Sequence, residues 1–279
     1  MDSALRIGFI GAGNMAQAIG TSLLEKGLVQ PEQIYVSAPS SRNFKPWIDL
    51  GVITTNDNHE VMLKSDVIFL AMKPQYVDKA LEKCHIAADE WTFSKLIVSM
   101  VAGLSIEALD LKMKPILMDY RIVLIMPNTS LLVGEGFTPI CPDERASVDD
   151  IDLVTTIMSA GGICEVVPEP LMRPLGAVSG CGVAFVYNMI EALSDGAVKQ
   201  GVPRAQSYRA VAQTLLGAAK MVLETGEHPG ALKDKVTSPG GVTICGVHEL
   251  EKGGLRATLM NALEACVNKF NDLEKKTKK

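Results

Sequence analysis

Leu5-Arg6-Ile7-Gly8-Phe9-Ile10-Gly11-Ala12-Gly13-Asn14-Met15-Ala16 is the stretch that decides the fold. Leu5–Ile10 is a short apolar run of buried-strand character, and a helical pattern follows it to about Lys26, ending at Gly27. Between the two, Gly11, Gly13 and Ala16 spell G-x-G-x-x-A. The triplet means little alone, but closing a first strand and opening a helix it marks a dinucleotide-binding turn. Gly11 permits the tight turn, Gly13 lets the backbone approach a pyrophosphate, and Ala16 allows close helix–strand packing. Ala12, Asn14 and Met15 complete the turn, where the helix start offers N–H groups and a positive dipole end to phosphate.

The same grammar continues outward. Ile34–Val36, Val67–Ala71, Leu96–Met100 and Ile122–Ile125 are apolar runs separated by polar or helical sequence. Gly136–Cys141 and Ile163–Val167 follow, with a helix over about 147–160 between them. Such alternation predicts an α/β, doubly wound parallel sheet of Rossmann type over residues 1–168. Past Pro168 the strand signals stop. Val183–Gln200, Pro203–Thr225, Gly240–Gly253 and Leu255–Lys275 all have helical patterns, so residues 169–279 form an all-α domain. The helix from Pro203 is rich in Ala and Leu and apolar on more than one face. So small a helical domain cannot bury it alone, and packing against a second copy of the chain is expected.

The second strand bears on the cofactor. Ile34-Tyr35-Val36 runs into Ser37-Ala38-Pro39-Ser40-Ser41-Arg42 with no Asp or Glu. An acid at this point would bond the ribose 2′-hydroxyl of NAD, whereas small hydroxyls such as Ser37 and the cation of Arg42 suit a 2′-phosphate. NADPH is the expected cofactor, with NADH as the alternative. Ala71-Met72-Lys73-Pro74, Val101-Ala102-Gly103 and Met126-Pro127-Asn128-Thr129 each follow a strand and meet at one rim, where a doubly wound sheet presents its ligand. Ala71, Met72, Lys73, Pro74, Ala102 and Gly103 are therefore assigned to the cofactor site, together with Asn56. Lys73 is placed to face the cofactor or an anionic substrate.

Composition narrows the rest. The 279 residues are 47% hydrophobic and 21% charged, as in ordinary globular proteins. A net charge of -5 speaks against a nucleic-acid or anionic-membrane partner. No apolar stretch reaches the roughly 20 residues that a bilayer needs. Met1-Asp2-Ser3-Ala4 leads directly into the first strand, leaving no room for a signal or transit peptide, so a cytoplasmic location is expected and mitochondrial association is left open. The 6 cysteines are scattered and fit reduced thiols, and the 4 histidines show no metal-ligand spacing, so no metal site is expected.

The most informative segment is Asp234-Lys235-Val236-Thr237-Ser238-Pro239-Gly240-Gly241-Val242-Thr243-Ile244. Ser238 before Pro239 has the form of an N-cap with proline at the first helical position. Each glycine of the following pair weakens a helix by about 1 kcal/mol against alanine, so capping alone does not account for them. Close approach of backbone to a small ligand would. A free helix start with the hydroxyls of Ser238 and Thr243 is either a carboxylate pocket or a structural turn.

Ser238-Pro239-Gly240-Gly241-Val242-Thr243, with His228-Pro229-Gly230 before it and Leu250-Glu251-Lys252-Gly253-Gly254-Leu255-Arg256 after it, resembles the signature region of the pyrroline-5-carboxylate reductases. So do Gly11–Ala16, Ala71–Pro74 and Met126–Thr129, and the resemblance runs from about Arg6 to about Leu273. It implies NADPH on the N-terminal domain and an interlocked homodimer through the helical one, often assembled further into a homodecamer. It also implies 1-pyrroline-5-carboxylate as substrate and L-proline as product, by hydride transfer to the C=N carbon. Ser238, Gly240, Gly241, Thr243 and Ile244 would hold the substrate. Ser238 and Thr243 would be the catalytic residues, with Thr243 near the ring nitrogen.

Where the family usually has S-G-S-G-P-A-Y/F, this chain has Ser179-Gly180-Cys181-Gly182-Val183-Ala184-Phe185, and Arg173 stands where an acid is common. These departures change the start of the first long helix and mark a divergent member of the family. Two other readings compete. An NADP-dependent 3-hydroxy acid dehydrogenase would need a lysine on the first long helix, and Lys199 lies at its far end. A non-catalytic NADP(H)-binding redox sensor would have no use for Ser238–Thr243.

Overall fold

The computed structural model describes residues 5–84, 86 and 94–277, the last four without their side chains. The chain opens with β1 (Ile7–Ile10), α1 (Asn14–Glu25), β2 (Ile34–Ser37), α2 (Lys45–Asp49) and β3 (Ile53–Thr55). Then come α3 (Asn58–Lys64), β4 (Val67–Leu70), α4 (Val77–Leu81), β5 (Lys95–Ser99), α5 (Ile106–Met113) and β6 (Tyr120–Ile125). The sheet is completed by β7 (Gly136–Pro142), α6 (Val148–Ser159) and β8 (Gly162–Val166). Its 8 strands lie in the order β3-β2-β1-β4-β5-β6-β7-β8. All neighbours are parallel except β6 and β7.

The chain walks outward from β1 to β3, then returns to the other side of β1 with β4. That reversal puts a topological switch point between β1 and β4, where open α/β sheets bind ligands at the carboxyl ends of the strands. Register reinforces it: Ile10 pairs with both Ser37 and Leu70, so Gly11, Ala38 and Ala71 leave the sheet at one level.

Strand alternation sorts the core into two clusters. Ile7 and Phe9 belong to one, in which Phe9 lies against Trp47 at 5.5 Å between ring centroids and stacks on Phe69 at 4.9 Å. Ile10 belongs to the other, with Ile68, Leu70 and Ile97. Such rings and branched chains drive burial at roughly 1.5–3 kcal/mol per side chain. A Cβ on Gly20 of α1 would overlap the Trp47 ring, so glycine is what lets α1 pack against Trp47 of α2.

After β8 come α7 (Glu169–Gly176), a π turn at Ala177–Cys181, and α8 (Gly182–Lys199), α9 (Arg204–Thr225), α10 (Pro229–Lys235), α11 (Val242–Lys252) and α12 (Leu255–Thr277). The first compact unit extends past Pro168 to Gly180 and takes in residues from Cys266 onward; Cys181–Ala265 form the second. The reason lies in α7. Met172 is buried in the sheet's second cluster, and the Glu169 carboxylate accepts the amide of Ile106 at 2.9 Å, closing the start of α5.

In the second unit α8 and α9 form a helical hairpin. Ser194 and Ser207 are its fully buried contact, with the Ser207 hydroxyl donating to the Ser194 carbonyl at 2.8 Å. Small side chains permit that close approach. No large apolar side chain among the described residues of this unit is buried, while Tyr187, Leu216, Leu223, Val242 and Met260 are exposed. By length and composition the run Glu169–Lys199 would also pass for a membrane span, contrary to the sequence expectation. The exposed apolar surface, however, continues over α9, α11 and α12, which do not pass that test.

Candidate active site

The turn after β1 is fixed by its neighbours. The Gly11 amide donates to the Ser37 carbonyl at 2.8 Å, and the Ala71 amide donates to the Ile10 carbonyl at 2.9 Å. Gly11 has φ +115, and a Cβ on it would overlap the carbonyl oxygen of Ala71. Only glycine fits there. Ala12 and Ala16 are buried beneath the turn, and the Gln17 side chain donates to the Ala12 carbonyl at 3.0 Å.

On the other side the turn is open. Gly13 is the N-cap of α1, has no atom within 4 Å of where a Cβ would stand, and carries no side-chain cap. The first amides of α1, at Asn14 and Met15, therefore have neither a side-chain nor an intrahelical acceptor. Backbone donors, a positive helix end and free space above Gly13 fit a pyrophosphate.

Beyond β2 the chain forms a short 3-10 turn, Ser41–Asn43, on which Arg42 is exposed. The loop is held from below: the Asn56 side chain donates to the Ala38 carbonyl at 2.8 Å, and the Ala38 amide to Thr55 at 3.3 Å. Asn56 thus shapes the rim by bracing Ala38. One expectation needs correcting. Ser37 is fully buried, its hydroxyl 3.5 Å from the Phe9 carbonyl, so it serves the Gly11 turn, and the exposed hydroxyls here are Ser40 and Ser41. An exposed guanidinium and two hydroxyls, with no acid at the end of β2, fit a 2′-phosphate.

Further along the same edge, Lys73 is exposed before Pro74, and the Tyr76 amide closes a turn onto the Lys73 carbonyl at 2.9 Å. The half-buried Ala102 and buried Gly103 follow β5, with Gly103 at φ +76. The structure therefore brings together Gly11–Met15, Ala71–Pro74 and Ala102–Gly103 at one strand edge, with Arg42 and Asn56 at the flank of β2.

The substrate segment belongs to the second unit and differs from its expected form. The Gly241 amide donates to the Ser238 carbonyl at 3.0 Å and Gly240 has φ +66, so Ser238-Pro239-Gly240-Gly241 is a β-turn with proline second and a left-handed glycine third. Ser238 is not the N-cap; Gly241 is, and α11 begins at Val242, two residues later than expected. Proline and glycine favour the turn more than a helical start. A Cβ on Gly241 would overlap the Ser238 hydroxyl, which therefore lies over this glycine beside the uncapped start of α11. Thr243 and Ile244 in the first turn of α11 are exposed. Uncapped amides flanked by a hydroxyl have the chemistry to accept a carboxylate.

Other motif residues have structural duties. His228 accepts the Gly230 amide at 3.0 Å and caps α10, a short helix additional to the four predicted past Pro168. Arg173 donates to the Asn271 side chain at 3.2 Å, joining α7 to the end of α12. Cys181 is half-buried at the N-cap position of α8.

Comparison with known proteins agrees with this layout. Residues 6–103 match the family described as NADP oxidoreductase, coenzyme F420-dependent, and residues 169–273 match pyrroline-5-carboxylate reductase dimerisation. A Rossmann-type domain with this turn, followed by such a helical region, defines a two-domain NAD(P)-dependent oxidoreductase that self-associates. Pyrroline-5-carboxylate reductase 3 of Xenopus laevis is 41% identical over 273 residues, covering 98% of this chain and 97% of the relative. Pyrroline-5-carboxylate reductase of Escherichia coli K12 is 41% identical over 271 residues, covering 97% and 98%. The chain belongs to the pyrroline-5-carboxylate reductase family. Among solved structures, the Plasmodium falciparum pyrroline carboxylate reductase with NADP bound superposes with a TM-score of 0.86 at 31% identity, over 98% of this chain and 99% of that one. The Coxiella burnetii pyrroline-5-carboxylate reductase gives 0.85 at 34% identity, over 97% and 98%.

Proposed function

We propose that the protein reduces 1-pyrroline-5-carboxylate to L-proline, with NADPH preferred over NADH. The observation that carries this is the Ser238–Gly241 turn, which leaves the start of α11 uncapped with the Ser238 hydroxyl over Gly241 and Thr243 exposed. Bound NADPH supplies the hydride that the C=N carbon accepts. The chain's own residues bind and orient. Gly11–Met15 hold the pyrophosphate, and Arg42 pairs with the 2′-phosphate.

The amides of Val242, Thr243 and Ile244, with Ser238, hold the substrate carboxylate, and the Thr243 hydroxyl bonds at the ring nitrogen. Because the imine protonates in solution, the site does not require a strong acid of its own. Alignment of the bound partners is worth roughly 7–11 kcal/mol, which is the larger part of the task. Lys199, the last residue of α8, lies where a hydroxy-acid dehydrogenase would not use it.

The working protein is a homodimer through the helical region, with further association to a decamer, and neither nucleic acid nor membrane is a partner. Its cysteines are free thiols, in keeping with the reducing cytoplasm. The test follows NADPH absorbance with pyrroline-5-carboxylate, beside NADH and a cyclic imine lacking the carboxylate. Rapid NADPH oxidation only with the carboxylated imine supports the reading. No oxidation by folded protein, or equal rates with both imines, would remove it.

A further inference from the structure

The path from α7 into α8 is not a regular helix. Ala177–Cys181 form a π turn, a rare element that concentrates at functional sites because it displaces backbone groups from the helical ladder. Two side chains hold it. Ser179 is buried and its hydroxyl donates back to the Leu175 carbonyl at 2.9 Å. The Ser179 carbonyl is taken by the Asn128 side-chain amide at 3.0 Å, across 51 positions of sequence.

Asn128 follows β6, is 7% exposed, and its side-chain oxygen accepts the Phe137 amide of β7 at 3.4 Å. One residue therefore ties together the end of β6, the start of β7 and the π turn. Beside it Gly176 meets Met126 so closely that a Cβ would overlap the sulfur. The turn is latched to the carboxyl end of β6.

That end belongs to the ligand edge shared by β1, β4 and β5, on the far side of the switch point from β2. In a doubly wound domain the first half takes one nucleotide of the cofactor and the second half the other. With the 2′-phosphate site at β2, the rim at β6 falls to the nicotinamide half. Resting on the reductase reading, we propose that Asn128 is a positioning residue for hydride transfer. It acts by fixing the π turn Ala177–Cys181 to the β6 rim, and through it the wall of the nicotinamide half. Asn128 is turned inward to Ser179 and Phe137, so its part is played through backbone and not by touching the reacting atoms.

The test is Asn128→Asp in the full-length protein. Aspartate keeps the acceptor for Phe137 but, when ionised, loses the donor to Ser179. Misplacement by about an ångström costs catalysis up to about 100-fold, so kcat should fall by about 10- to 100-fold at neutral pH. NADPH affinity, set at the distant Gly11 turn and Arg42, should stay within about twofold of the parent. A protonated carboxyl donates again, and burial raises its pKa, so the variant-to-parent ratio of kcat should climb as pH falls from about 8 to about 6. A merely structural role would instead lower the melting temperature and NADPH affinity together with kcat.

A kcat within about twofold of the parent at every pH, or a loss of NADPH affinity equal to the loss of kcat, would overturn the proposal. If the aspartate variant fails to fold, Asn128→Ala reads the same split, and unchanged kcat there overturns it too. A parent protein with no imine reduction would instead strike the reductase reading, so the two failures are distinct.

Discussion

Gly11 and Ala71 meet backbone to backbone: a Cβ on Gly11 would overlap the Ala71 carbonyl oxygen and stand 2.8 Å from its carbonyl carbon. Neither partner can swing aside, because the Ala71 amide is bonded to Ile10 and the Gly11 amide to Ser37. At φ +115 an alanine is strained besides. Gly11→Ala should therefore cost about 1–3 kcal/mol in urea unfolding and lower NADPH affinity by about tenfold or more by titration. An alanine variant that binds NADPH like the parent would place the pyrophosphate elsewhere.

Arg42 is the exposed cation at the end of β2 and forms no ion pair with any described residue. Its removal leaves no buried group orphaned, so stability should stay within about 0.5 kcal/mol. A charge-assisted bond to a 2′-phosphate is worth about 1.5 kcal/mol or more, and Arg42→Ala should weaken NADPH by about tenfold. NADH, which lacks that phosphate, should bind unchanged. Equal loss for both nucleotides would take Arg42 out of the recognition.

Much of this was legible because the signals were local. Gly11, Gly13 and Ala16 sit at fixed offsets after an apolar run, and the structure puts a strand, a turn and a helix there. The unread parts depend on partners distant in sequence. The partly exposed three-residue strand β3, Ile53–Thr55, has no apolar run to betray it. Lys95 opens β5, one residue before the predicted apolar run, although a lysine ordinarily marks solvent. It is fully buried, because its ammonium donates to the carbonyls of Leu63 and Ser65 at the end of α3, at 3.1 and 2.8 Å. Ser37 carried the right residue type but is buried under the turn it supports, which no spacing reveals. Ser238 is ambiguous in sequence because a serine before proline suits both a helix start and a β-turn. The left-handed Gly240 decides for the turn.

Acid sensitivity follows from Asp110. Lys114 at 2.8 Å, Tyr120 at 2.9 Å and Arg145 at 2.7 Å surround its carboxylate and hold its pKa at about 2, below the ordinary 3.8. Arg145 also lies over the Tyr120 ring at 4.6 Å. A carboxyl whose folded pKa is depressed stabilises fully above the unfolded value and loses that contribution as pH falls through the folded one. Asp110→Asn should thus be less stable than the parent by a constant margin from neutral pH to about 4, and the gap should close toward pH 2. Urea midpoints at pH 7, 4 and about 2.5 check this; a gap that persisted at the lowest pH would assign the loss to packing and not to charge.

Thr243 separates folding from chemistry. It is exposed in the first turn of α11, and no described side chain or backbone group depends on its hydroxyl. Thr243→Ala should leave the melting temperature within about a degree or two, since such surface changes fall within about 0.5 kcal/mol. Turnover should fall by about tenfold or more, because one hydrogen bond at the reacting nitrogen is lost. Thr243→Ser keeps the hydroxyl and should restore most of it. Unchanged kinetics in the alanine variant would remove Thr243 from the site.

Leu223 of α9 is 72% exposed in the single chain, and Tyr187, Val242 and Met260 share its situation. If water covered Leu223 in the working protein, Leu223→Glu would change stability by no more than about 0.5 kcal/mol. The second unit buries only Ser194 and Ser207 fully among its described residues, far too little to hold helices of 18 and 22 residues in place. A second copy covering this face supplies the missing apolar burial, and a carboxylate placed there costs about 3 kcal/mol or more. Leu223→Glu should therefore shift the parent's oligomer toward monomer in sedimentation velocity. The parent's melting temperature should rise with protein concentration, as folding coupled to association requires. A monomeric parent with a concentration-independent transition would mean that the helical unit stands alone, and its exposed leucines would then need another explanation.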